Sequence, residues 1–110
     1  MAVYSYKVLA QSAPSAVTNT DIYTVGANTQ SIISTITVCN RSTSAATYRI
    51  AIRPNGASIV NQHYLAYDAT IAANDTIAMT MGITMDAADV FTVYASSANL
   101  SFGLYGSELA

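Results

Sequence analysis

Charge is what this sequence has least of. Only 9% of its 110 residues are Asp, Glu, Lys or Arg, against about 25% in an ordinary soluble domain. The four basic and six acidic residues leave a net charge of -2. A folded chain of this mass exposes about 5,800 Å², or about one charge per 580 Å². Neutral areas approaching the roughly 800 Å² that one partner contributes to a standard interface are then hard to avoid. So small a net charge protects a lone monomer poorly against association. The expectation is a subunit whose neutral faces are covered in an assembly.

Other scarcities exclude chemistry. The basic residues Lys7, Arg41, Arg49 and Arg53 are too few to form the stripe that phosphate binding needs, so no nucleic-acid partner is expected. The single cysteine, Cys39, has no partner for an internal disulfide and is expected in or near the core, where a free thiol packs as a small hydrophobe. The single histidine, His63, lies in the tyrosine-rich HYLAY stretch and reads as structural. No paired histidines or cysteines suggest zinc. The acidic pairs Asp68 with Asp75, and Asp86 with Asp89, lack the run of oxygen ligands that calcium requires. No G-x-S-x-G elbow or glycine-rich phosphate loop occurs. No enzyme activity, cofactor or metal is expected. A glycan hydrolase would need two well-placed carboxylates, and the acids fall in turns.

No apolar run approaches the roughly 18 residues of a membrane helix, so no membrane partner is expected. The opening MAVYSYKVLA alternates and carries two tyrosines instead of a continuous apolar core, unlike a signal peptide. The protein is expected to be made and assembled in a cytoplasm, or released by lysis. Without a secretory signal, the sequons at Asn40, Asn74 and Asn99 read as chance matches.

What is present is strand after strand. VYSYKVLA (3–10), DIYTV (21–25), SIISTITVCN (31–40), YRIAIR (48–53), HYLAYD (63–68), DTIAMTMGITM (75–85), VFTVYA (90–95) and LSFGLYGSEL (100–109) are separated by turn-forming segments. In 48–53, Tyr48, Ile50 and Ile52 alternate with Arg49, Ala51 and Arg53. In 75–85, Ile77, Met79, Met81, Ile83 and Met85 alternate with Thr76, Ala78, Thr80, Gly82 and Thr84. In 31–40, strict alternation sets Ile32, Ser34, Ile36 and Val38 against Ile33, Thr35, Thr37 and Cys39. PNGAS (54–58) carries an Asn-Gly turn. About eight short strands and no convincing helix predict an all-β fold: one antiparallel β-sandwich, jelly-roll-like, spanning residues 1–110.

Two groups of residues are candidates for contacts. Thr35, Thr37, Thr76, Thr80 and Thr84, with Ser101 and Gly103, form small neutral stripes suited to close approach of another sheet or subunit. Arg41, Arg49 and Arg53 are among the few residues able to make directed, charge-assisted contacts. The eight tyrosines suit half-buried and interface positions.

DIYTVGANTQSIISTITVCNR (21–41), IRPNGA (52–57), NQHYLAYDATIAANDT (61–76), GIT (82–84), FTVYAS (91–96) and LSFGLYGSE (100–108) resemble small tailed-bacteriophage virion proteins. The resemblance lies in the order of these elements, which together cover about four-fifths of the chain; none is a catalytic motif. Gly26 stands where proline is expected before the A-N-T-Q turn. The resemblance implies a capsid cement or decoration subunit on the virion surface, often a homotrimer, whose partners are itself and the major capsid protein. Arg41, Arg49 and Arg53 are then first candidates for contact with an acidic capsid surface. The alternative is a tail or fibre component that recognises host glycans.

Overall fold

The structure is a computed structural model and describes residues 3–110. Eight strands appear in chain order: β1 (Tyr4–Ser12), β2 (Thr20–Thr24), β3 (Gln30–Asn40), β4 (Ala46–Arg53), β5 (Tyr64–Ile71), β6 (Thr76–Met85), β7 (Val90–Ala95) and β8 (Leu100–Leu109). They form two four-stranded sheets, ordered β1-β8-β3-β6 and β2-β7-β4-β5. Every paired strand runs antiparallel to its neighbours. Sequence neighbours largely fall in opposite sheets, which is the jelly-roll solution to burying two half-apolar faces against each other. The two sheets are called here the first and the second sheet.

The core is the space between them. Ile33, Ile36 and Val38 of β3, with Leu100, Phe102 and Leu104 of β8, meet Tyr48 and Ile50 of β4 and Phe91, Val93 and Ala95 of β7. Tyr48 and Phe102 pack edge to face across the gap, with ring centroids 6.4 Å apart. Fully burying one such side chain stabilises by about 1.5–3 kcal/mol.

The alternation of β3 differs from the sequence expectation. Ser31 and Ile33 point inward, and so do Ile36, Val38 and Asn40; Ile32 and Ser34 lie outside with Thr35, Thr37 and Cys39. A β-bulge between Ile33 and Thr35 inserts Ser34 and reverses the faces. The Ser34 hydroxyl donates to the Tyr105 carbonyl at 3.0 Å. Gly106 of β8 makes the bulge possible, because a Cβ there would run into the Ile32 carbonyl and approach Ile33 Cα to 3.1 Å. The same reversal takes Cys39 out of the core: it is half-buried on the outside, level with Thr76 and Ser101.

A second bulge shapes β5. Asp68 has φ +51°, and the register with β4 shifts there. The aspartate that reads as a strand end is instead an extra residue within a strand that continues to Ile71. Asn55 and Gly56 have φ of +54° and +69°, as the Asn-Gly turn requires.

Candidate interaction surface

The two sheets present unlike surfaces to solvent. Register fixes which residues share the outer face of the first sheet. Tyr6, Ser107, Ile32 and Thr84 form one cross-strand row. Val8, Tyr105, Thr35 and Thr80 form the next. Gln11, Gly103, Thr37 and Ala78 follow, then Ser101, Cys39 and Thr76. Among the described residues of these rows, none is charged. All five candidate threonines, Thr35, Thr37, Thr76, Thr80 and Thr84, lie on this face. The bulge at Ser34 is what brings Thr35 and Thr37 level with Thr80 and Ala78 while Thr84 stays beside Ile32.

Relief across the face is graded. On edge strand β1, Tyr4, Tyr6 and Val8 are 65%, 86% and 52% exposed. At the opposite edge, β6 presents Thr76, Ala78, Thr80, Gly82 and Thr84, and among the described residues nothing would meet a Cβ at Gly82 within 4 Å. Between them Tyr105 folds over Gly103, where a Cβ would come within 2.7 Å of the Thr37 hydroxyl. Two shallow hollows indent the face. One, of about 560 Å³, is lined by Tyr4, Ile32, Thr84, Ser107 and Leu109 of the strands and by Asp86 and Asp89 of the β6–β7 turn. The other, of about 480 Å³, lies among Gln11, Thr37, Cys39, Ser101 and Tyr105.

The two charges carried within the strands of the first sheet turn away from this face. Lys7 and Glu108 lie on its inner side at the mouth of the sandwich, joined by a 2.5 Å ion pair. Tyr23 reaches across from β2 and donates its phenolic proton to Glu108. Having one proton, Tyr23 then accepts from the Ser31 hydroxyl at 2.5 Å. Burial, then the bond to Glu108, pushes the Tyr23 pKa up to about 12. Lys7, then Tyr23, holds the Glu108 carboxyl below its ordinary range. This polar clasp between the sheets lies outside the expected contact residues; its members are scattered from position 7 to position 108, and no local pattern joins them.

The outer face of the second sheet holds charge. Arg49 Nε donates to Asp68 at 2.7 Å. Its guanidinium lies 4.3 Å from the Tyr67 ring centre and 4.2 Å from that of Tyr94, while Tyr64 packs edge-on against Tyr67 at 4.8 Å. The aspartate at the β5 bulge is therefore the residue that fixes the arginine, and its hydrogen bond raises the Arg49 pKa. Arg53 is fully engaged: it donates to Asp21 at 2.8 Å, to the Thr92 hydroxyl at 3.1 Å, and to the carbonyls of Gly56 and Ala57. These bonds tie segment 54–63 over Ala51 and Thr92, which are only 1% and 3% exposed.

Of the three candidate arginines, Arg49 and Arg53 thus have internal carboxylate partners. Arg41 does not, among the described residues. It is exposed at the end of β3, where it donates to the Ser101 hydroxyl at 2.8 Å and the Ala98 carbonyl at 3.1 Å. It stands at the rim of the neutral face. The structure therefore brings the threonines together on one face but separates the arginines between two.

The remaining polar groups have structural work. The His63 ring accepts the Val60 N–H through Nδ1 at 3.2 Å. Asn40, 1% exposed, donates to the Ser44 and Ala72 carbonyls and accepts from Ser42, so its amide is closed inside the loops it organises. Asp89 accepts the backbone N–H groups of Asn55 and Asp86 at 2.8 Å. No group of three or more His, Cys, Asp or Glu able to hold a metal ion occurs among the described residues, and no helix is long and apolar enough to cross a membrane.

No family model, curated protein or solved structure matches this chain.

Proposed function

We propose that this chain is a virion structural subunit, a cement or decoration protein of a tailed bacteriophage that binds the head surface and stabilises the expanded shell. The observation that carries the reading is the uncharged outer face of the first sheet, set against a second sheet whose outer face is laced with ion pairs. A surface without charge is poorly defended against association, which fits a subunit that spends its life in a lattice. The resemblance of the ordered turn and strand motifs to tailed-bacteriophage virion proteins supports a virion as that lattice. The mechanism is mass action: contacts that exist only in the expanded shell lower its free energy in proportion to occupancy.

A tail or fibre role in glycan recognition is the second reading. It is favoured by the platform of Tyr64, Tyr67 and Tyr94 around Arg49 and Asp68, where Tyr67 is 58% exposed. Sugar rings stack on such aromatic faces while their hydroxyls bond to the charged groups.

Co-sedimentation of the purified chain with expanded empty heads made without it separates the readings. Saturable binding, with a rise in the temperature at which the heads fail, supports the cement role. Heads that neither bind the chain nor gain heat resistance, together with binding on a glycan array, would move the assignment to the tail.

A further inference from the structure

We infer that the outer face of the first sheet is covered by a second copy of this chain, packed face to face about a two-fold axis parallel to the strands. The inference rests on the proposed assembly role and names the partner of that surface.

Three observations point to a sister chain. The first is charge: the cross-strand rows from Tyr6 to Thr84 down to Cys39 and Thr76 carry none. An uncharged face meets its own copy without leaving an unpaired ion desolvated, whereas an acidic or basic partner surface would lose hydration for no compensating contact.

The second is relief. Large, exposed Tyr6 and Val8 line the β1 edge, and small Thr84, Thr80 and Ala78 line the β6 edge at matching levels. Rotation about an axis along the strands lays β1 of one copy over β6 of the other. Large residues then meet small ones at both ends of the interface, as interdigitating layers require. Tyr6 comes opposite the Thr84 level, and Val8 opposite the Thr80 level. Packing large on large and small on small would leave clashes and voids.

The third is area. The four strands are 9, 10, 11 and 10 residues long. At about 4.8 Å between strands and about 3.3 Å per residue, the flat footprint is on the order of 600 Å². Projecting side chains bring the accessible area to the scale of about 800 Å² per partner typical of stable complexes. An isologous contact of this kind closes on itself and leaves a pair, in place of the three-fold assembly that the resemblance implies. It also leaves the Arg49 and Tyr67 surface, on the second sheet, pointing outward from both copies.

The experiment is native mass by light scattering after gel filtration, over a concentration series, for the wild type and for Tyr6→Lys, Thr84→Glu, the double variant and Thr70→Lys. Thr70 is exposed on the second sheet and serves as the control. Circular dichroism checks that each variant folds, and Gln11→Lys on the same neutral face replaces either neutral-face single variant that does not. A wild-type mass of twice the 11.5 kDa chain is expected. Each single substitution on the neutral face should weaken the pair about 100-fold, the double variant should regain at least tenfold, and Thr70→Lys should match the wild type. A monomer at every concentration, a closed trimer, or a pair weakened by Thr70→Lys but not by the neutral-face substitutions would overturn the inference. The outcome is independent of head binding: a pair that ignores heads fails the proposed function alone, and a monomer that binds heads fails this inference alone.

Discussion

The two outer faces of this sandwich are built from the same number of strands and solve opposite problems. On the second sheet, each arginine has an internal carboxylate: Arg49 has Asp68 and two tyrosine rings, and Arg53 has Asp21 and the loop that it pins. On the first sheet, the outward threonines and tyrosines have no charged residue in their rows among the described residues, and the two strand-borne charges turn inward to clasp Tyr23. Charge is therefore not merely scarce but segregated. A low charge count alone permits neutral patches anywhere; the absence of charge from the outward positions of β1, β8, β3 and β6 makes a whole four-strand face neutral.

The largest effect is expected where that neutral face depends on backbone geometry. Gly106→Ala drives a Cβ into the Ile32 carbonyl, against backbone that cannot move aside without losing the Ser34 bulge. Destabilisation of about 3 kcal/mol or more is expected, read as a drop in the urea midpoint. If the variant tolerates the change, the bulge is not what sets the faces of β3.

The clasp between the faces is expected to show at the extremes of pH. Glu108 has a lowered folded pKa, so its contribution is complete above the unfolded value of about 4.3 and is lost as pH falls through the folded value. Tyr23 behaves in the opposite sense. Its folded pKa of about 12 exceeds the unfolded value of about 10, so the unfolded chain ionises first. Stability is complete below about pH 10 and declines toward pH 12. Urea midpoints across pH should show both limbs; Tyr23→Phe should flatten the alkaline one, and Glu108→Gln the acid one.

On the charged face, Arg49→Lys keeps the charge but loses the planar group that lies between Tyr67 and Tyr94. The melting temperature should fall by a few degrees, while association remains unchanged. Smallest of all is the expected effect of Thr37→Lys on the fold of one chain. Thr37 faces outward on β3, and surface substitutions of this kind change stability by about 0.5 kcal/mol or less. Its consequence should appear in association alone. An equal loss of stability in dilute and concentrated samples would break the contrast between the faces.

Much of the scaffold is legible in the sequence. β7 spans Val90–Ala95 as its VFTVYA run predicts, and the alternation in 48–53 places Arg49 and Arg53 outside. The alternation in 75–85 also holds, except that Met81, read as inward, is 37% exposed beside the bulge. β3 was not legible in the same way: isoleucine occurs at both 32 and 33, so hydrophobicity fits either parity, and only the pairing with Gly106 decides. Cys39 inherits that ambiguity. Asp68 reads as a strand end because aspartate favours turns, yet a bulge uses the same φ preference. The threonine face was legible because threonine recurs at outward positions of two strands that happen to pair. The arginine pairings were not, because Asp68 and Asp21 lie 19 and 32 residues away from their partners and meet them only through the sheet.

The most direct measurement is oxidative footprinting of the tyrosines as the chain is concentrated. Tyr6 on the neutral face and Tyr67 on the charged face both start exposed, at 86% and 58%. Protection of Tyr4 and Tyr6 with rising concentration, while Tyr67 stays reactive, is the expected result. Protection of Tyr67 with Tyr6 still reactive, or no protection of either, would contradict the assignment of the neutral face as the surface that is covered.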